Sequence, residues 1–152
     1  MIIWILANIN INKKRGKKMA YTWDKSLETG NLIIDEQHKS LINAINELLD
    51  ACSQGKGRVE VQKTLNFLSD YVVKHFNDEE KLQLKSKYPD YTAHKKLHED
   101  FKKDVAEIVS EFEKGGATIP LVAKVNRSIG DWLIKHIKTM DKKVAQHINL
   151  NK

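Results

Sequence analysis

The chain has 152 residues, 30% of them charged, with a formal net charge of +6, seven glycines, two prolines and one cysteine. That length suffices for one domain with a real core, and the lone Cys52 excludes an intrachain disulfide and fits a reducing cytoplasm. The charge excludes less than it first suggests. Lys13, Lys14, Arg15, Lys17 and Lys18 all precede Met19, and without them 21 basic residues face 20 acidic ones. A nearly neutral body gives no reason to expect nucleic acid as a partner.

The leader "MIIWILANININKKRGKKM" has an apolar run, Ile2 to Ala7, far too short to span a bilayer. Its basic residues follow that run, whereas a secretory signal carries them before it. Lys-Arg-Gly-Lys-Lys-Met can be encoded by a purine-rich stretch resembling a bacterial ribosome-binding site before a start codon, so residues 1–18 are expected to be a non-native or disordered extension from a misassigned start, with translation beginning at Met19. A weak membrane-surface anchor is the alternative. Residues 20–34, "AYTWDKSLETGNLII", have no helical period and are expected to form a non-helical arm anchored by Trp23.

Four amphipathic stretches follow. The first, from Asp35, repeats Leu41, Ile42, Ile45, Leu48 and Leu49 until "SQGKGR". The second, Val61 to about Leu84, shows the seam Leu65, Leu68, Val72, His75, Glu79 and Leu82. After "SKYPD" the third carries His94, His98, Phe101, Val105, Ile108 and Phe112 up to "GGAT". The fourth begins near Pro120 and shows Val122, Val125, Ile129, Trp132, Leu133, Ile137 and Met140. The predicted fold is all-α: an up-down-up-down antiparallel four-helix bundle over residues 19–152, with an N-terminal non-helical arm. Cys52 is expected to pack at the end of the first helix.

The polar residues on these stripes carry the chemistry. His38, His75, Glu79, His94, His98 and His136 fall on core-facing seams, although burying even one unpartnered polar group costs roughly 1–3 kcal/mol. The chain direction brings them together: His38 starts the first helix, His75 and Glu79 end the second, His94 and His98 open the third, and His136 comes late in the fourth. In an antiparallel bundle those regions share one end. Asp141, five residues after His136, is about 140° round an ideal helix from it, so its carboxylate is expected at the flank of the seam. His147 returns to the His136 face about 16 Å further along, too far to join the group.

Five imidazoles and two carboxylates are too many for one ion, since a structural zinc takes four ligands. "HKKLH" also lacks the glutamate after its first histidine that a zinc protease uses. Two ions about 3.5–4 Å apart fit the count better. With both carboxylates bridging and one shared solvent oxygen, an octahedral pair keeps one open position. Imidazole-rich ligation with carboxylate bridges suits iron. The Glu-x-x-His pairs of carboxylate-rich di-iron oxidases do not occur in the chain.

These residues resemble the hemerythrin family, specifically its single-domain bacterial members, over roughly residues 20–150. The resemblance rests on His38 in "DEQHKSL", His75 and Glu79 in "HFNDEE", His94 and His98 in "HKKLHEDF", and His136 and Asp141 in "HIKTMD". It implies two irons per chain with an oxo or hydroxo bridge. His94, His98 and His136 would hold one iron and His38 and His75 the other, with Glu79 and Asp141 bridging. The open position would belong to the two-histidine iron and would bind O2 reversibly. "WLIKHI" resembles the family's O2 pocket, placing Trp132, Leu133 and Ile137 beside the gas. Gln83 departs from the methionine that relatives often carry there and is expected to face solvent; facing the pocket, it would make that pocket wetter.

The expected function is an oxygen carrier, store or delivery protein rather than an enzyme, monomeric and cytoplasmic, with an unidentified donor or acceptor protein as a further partner. The alternatives are a di-iron enzyme scavenging peroxide or nitric oxide, and an O2 or redox sensor module.

Overall fold

The computed structural model describes residues 20–152, so the expectation for residues 1–18 lies outside the described residues. The described part contains helices and turns and no strand. Four rods form an antiparallel bundle. Helix α1 (Leu32–Ser53) packs against α2 (Arg58–Lys85), α2 against α3 (Tyr91–Gly115), and the fourth rod closes the bundle against α1 and α3.

Local chemistry sets the rod ends. Asn31 caps α1, its Oδ1 accepting from Ile34 N at 3.1 Å. Thr118 does the same for the fourth rod through Leu121 N, with Pro120 in the first turn, where a missing N–H costs nothing. Gly116, with φ of 73°, ends α3 in a conformation that disfavours a Cβ.

The fourth rod is not a uniform α-helix. It runs through α4 (Ile119–Val125), a π segment (Asn126–Asp131), α5 (Trp132–His136), a second π segment (Ile137–Asp141) and α6 (Lys142–Leu150). Its junction residues all keep right-handed helical φ and ψ, so the rod continues unbroken. A π turn bonds i to i+5 and appears mostly as a single-turn insertion, frequently at functional sites.

The core below the polar end is apolar. Phe76, Phe101, Phe112, Leu65, Leu68, Leu48 and Ile108 are each at most 1% exposed, and burying such a side chain stabilises the fold by roughly 1.5–3 kcal/mol. Cys52 packs half-buried against this core near the end of α1, and burial pushes its thiol up from the usual range.

The N-terminal arm differs from expectation in three respects. It ends at Asn31, because the cap on Ile34 N starts α1 at Leu32 and takes Leu32, Ile33 and Ile34 out of the arm. It contains a short 3-10 turn, Lys25–Leu27, whose Leu27 is buried. Its polar anchor is Tyr21 rather than Trp23. Tyr21 N donates to Asn46 Oδ1 at 3.0 Å, and Asn46 Nδ2 donates back to Tyr21 O at 2.7 Å. The phenol donates into the first π segment, lying 2.9 Å from Asn126 O and 3.0 Å from Asp131 Oδ1. A Cβ on Gly130 would collide with the Tyr21 ring, so the glycine in that segment is what admits the tyrosine. Trp23 is only half-buried, with the Lys39 ammonium 5.4 Å from its ring centre.

Candidate metal centre

The polar end of the bundle brings together all seven residues singled out from the sequence. His38, His75, His98 and Asp141 are fully buried, and Glu79, His94 and His136 are at most 4% exposed. Their donor atoms form two groups, each with all atoms within 4.8 Å of one another. One is Glu79, His94, His98, His136 and Asp141; the other is His38, His75, Glu79 and Asp141. The two carboxylates belong to both groups.

Asp141 does not sit at the flank. The π segment Ile137–Asp141 takes an extra residue into the turn, so position i+5 comes round to the face of position i. As a result Asp141 Oδ1 lies 3.0 Å from His136 Nε2 and 3.2 Å from His94 Nε2, while Oδ2 lies 2.8 Å from His38 Nε2. Glu79 divides its oxygens likewise, with Oε1 at 2.8 Å from His94 Nε2 and Oε2 at 3.4 Å from His75 Nε2.

Protein groups alone cannot satisfy this arrangement. His94 Nε2 has His98 Nε2 at 3.0 Å and His136 Nε2 at 3.1 Å in addition to the two carboxylate oxygens. A single ring nitrogen holds at most one proton and cannot serve four neighbours. Both nitrogens of His38, Nε2 of His75, Oε2 of Glu79 and both oxygens of Asp141 are buried without an aligned hydrogen-bond partner. Native interiors rarely leave such atoms unpaired. Donors about 2.1 Å from a common six-coordinate ion are about 3.0 Å apart along an octahedral edge, which matches the 2.8–3.2 Å separations around His94 and Asp141. The residues present fit a pair of cations sharing two carboxylates.

The surroundings orient the rings. His75 Nδ1 lies 2.7 Å from Gln37 Oε1, and Gln37 Nε2 donates to Asp78 Oδ2 at 2.8 Å, itself paired with Lys74. His98 Nδ1 lies 3.0 Å from Glu80 Oε1. Each contact fixes the far ring nitrogen as the proton carrier and turns Nε2 toward the cluster. Phe76 stacks flat on His98 with ring centres 3.8 Å apart, and Trp132 stacks on both His136 and Phe101. Sequence reasoning passed over Gln37 and Glu80, although each adjoins a singled-out donor, in "QH" and "EE".

The electrostatics show what burial costs without cations. Burial, then the neighbouring His38, pulls His75 down to about 3, and burial, then His94 and His136, pulls His98 to about 2. For His94 burial acts downward, but Asp141 and Glu79 outweigh it and leave it at about 9. Burial and the Asp141 charge push Glu79 up to about 8. Asp141 resists burial because His136, His38 and His94 surround it, and it stays well below the ordinary range. The cluster thus tends to keep protons where a cation would otherwise supply positive charge.

Two other expectations meet the structure differently. Gln83 does not face solvent: it is fully buried and donates from Nε2 to Glu79 Oε1 at 3.1 Å. The α2 seam passes from Glu79 to Gln83, and Leu82 is left half-buried. His147 stays outside the cluster, with Nε2 2.8 Å from Ser86 O and its ring edge-on to Tyr88. Of the suggested pocket residues, Leu133 and Ile137 are buried in the apolar core. Trp132 is half-buried and lies against the three-imidazole group.

An all-α bundle whose polar end gathers five imidazoles and two shared carboxylates defines a metal-binding helical protein. The family model described as hemerythrin HHE cation binding domain matches residues 29–148, and the chain belongs to the hemerythrin family. It is 37% identical over 108 residues to a bacteriohemerythrin of Methylococcus capsulatus, covering 71% of this chain and 80% of that protein. It is 30% identical over 121 residues to a myohemerythrin of Sipunculus nudus, covering 80% and 88%. A solved wild-type hemerythrin superposes with a TM-score of 0.76 at 33% identity, covering 85% of this chain and 98% of that one. No helix among the described residues is long and apolar enough to cross a membrane.

Proposed function

We propose that the chain binds O2 reversibly at a non-heme di-iron centre, as an oxygen carrier, store or delivery protein rather than an enzyme. The observation that carries this reading is the sharing of Glu79 and Asp141 between two groups of otherwise unsatisfied donors. In this reading His94, His98 and His136 would hold one iron, His38 and His75 the other, and Glu79 and Asp141 would serve both, with an oxo or hydroxo bridge expected between them. An iron pair held there would supply the electrons that reversible O2 binding requires, and the side of His38 and His75, which offers fewer imidazoles, would be where O2 enters.

The chain's own residues do the rest. Neutral imidazoles donate through Nε2, and the partners Gln37 and Glu80 hold His75 and His98 in that tautomer. Two carboxylates offset part of the cationic charge in a buried site. Leu133 and Ile137, at most 2% exposed, are the residues this reading assigns to keeping water and protons from the bound gas. Support for the family role comes from relatives named bacteriohemerythrin and myohemerythrin.

The test is anaerobic loading with ferrous iron, admission of O2 and then a purge. A visible band that appears and disappears reversibly, with close to two irons per chain, supports the reading. One iron at saturation sinks the di-iron assignment, and irreversible conversion to the ferric form favours redox chemistry such as peroxide or nitric oxide scavenging.

A further inference from the structure

Gln83 is a fully buried amide to which the chemistry above assigns no role. It lies four residues beyond Glu79 on α2, so one helical turn sets the two side chains on the same face. Its Nε2 donates to Glu79 Oε1, while its own Oε1 has no partner. A buried unpaired acceptor is destabilising, and an apolar side chain of the same length would suit the metal-free fold better. Stability does not account for an amide here.

The oxygen that Gln83 addresses decides where it acts. Glu79 Oε1 is the one facing His94 at 2.8 Å and His98 at 3.7 Å, whereas Oε2 faces His75. Gln83 therefore works on the three-imidazole side and not beside His38 and His75, where the open position is proposed.

We propose that Gln83 is a positioning residue of the metal centre, fixing Glu79 Oε1 toward the ion held by His94, His98 and His136 and drawing electron density from that oxygen. The inference rests on the metal-binding reading above. A carboxylate held in place by an outer partner binds a cation more tightly than one free to rotate. A hydrogen bond donated to a ligating oxygen also weakens its donation, which favours the reduced ion and raises the reduction potential.

The experiment compares the full-length wild type with Gln83→Met, which keeps length and flexibility but removes both amide atoms. Three quantities are read: the melting temperature of the metal-free protein, the affinity for ferrous iron in anaerobic titration, and the midpoint potential of the loaded centre. The expected result is a metal-free melting temperature equal to or above wild type, an affinity about 10- to 100-fold weaker, and a lower midpoint potential. Unchanged affinity and potential overturn the proposal, and so does a parallel loss of metal-free stability, which marks a packing role. Gln83→Leu is read in the same way if the methionine variant does not fold. A wild type that fails to take up two ferrous ions sinks the metal-binding reading itself, whereas a wild type that binds two and is matched by the variant sinks only the role of Gln83.

Discussion

Asp141 Oδ1 lies 3.0 Å from Nε2 of His136, five residues earlier on the same rod, and the π turn between them brings the two donors to one face. The carboxylate thereby touches both donor groups, since its other oxygen is 2.8 Å from His38. Removing its charge should damage both cation positions at once. Asp141→Asn, which keeps the shape, is expected to abolish iron uptake. His38→Ala removes a donor from one group only and is expected to leave one tightly held ion. Elemental analysis after anaerobic reconstitution checks both, and two ions retained in Asp141→Asn would contradict the bridging role.

The pH dependence of the metal-free protein follows from its displaced protons. His75 and His98, held at about 3 and 2, stay neutral when folded, yet they protonate near 6.5 when unfolded. Their contribution is present above 6.5 and is lost as pH falls below it. Glu79 at about 8 and His94 at about 9 act oppositely. The folded state keeps protons that the unfolded chain releases, so stability is lost as pH rises through those values. Below 6.5 two histidines outweigh one carboxyl; above it only the opposing pair acts. The metal-free melting temperature is expected to peak near pH 6.5 and fall by pH 8.5. Metal binding needs deprotonated donors, so the stabilisation by iron should grow over the same range. Thermal melts at pH 5, 6.5 and 8.5 check this, and a metal-free melting temperature that climbs steadily to pH 8.5 would refute it.

Gly130 and Tyr21 form a second coupled pair. Because a Cβ on Gly130 meets the Tyr21 ring, Gly130→Ala should overpack the contact between the arm and the first π segment, destabilising the protein by about 1–3 kcal/mol. In a Tyr21→Ala background the same substitution should cost almost nothing, since the obstructing ring is gone. A double-mutant cycle by denaturant unfolding measures the coupling. Equal costs in both backgrounds would remove Tyr21 as the reason for the glycine.

The bundle and its seven donors were legible because a helical period exposes a polar residue on an apolar seam. His75 and Glu79 interrupt such a seam, as do His94 and His98, and the antiparallel order brings the interruptions to one end. What was not legible depends on departures from that period. Nothing in "HIKTMD" announces a π turn, so an ideal helix misplaced Asp141 at the flank. Gln83 was expected to face solvent for a different reason: Leu82, seven residues after His75, continued the seam with an apolar residue. The backbone instead buries the position four after Glu79, where an amide can reach the carboxylate. The anchoring role of Tyr21 depends on a contact with Asn126, 105 residues away, and no local pattern encodes that. Trp23, the larger and more apolar side chain, was the natural choice from composition alone.

The last expectation concerns the apolar wall that the proposed function assigns to Leu133 and Ile137. Leu133 is 2% exposed and Ile137 fully buried, and neither carries a proton donor. Leu133→Ala would leave a cavity in the apolar core, and under the proposed O2-binding reading that cavity lets water approach a charged centre. Iron content should change little, because Leu133 contributes no donor atom, while the oxygenated form should decay to the ferric state markedly faster. A stability loss of about 2–5 kcal/mol is the ordinary cost of such a truncation, so the comparison belongs well below the variant's melting temperature. His136→Ala should behave differently, losing iron outright, since its Nε2 lies against both His94 and Asp141. Following the visible band after oxygenation separates the two cases. If Leu133→Ala holds its oxygenated form as long as wild type, the apolar wall is not what protects it, and the reading of the chain as a reversible carrier weakens with it.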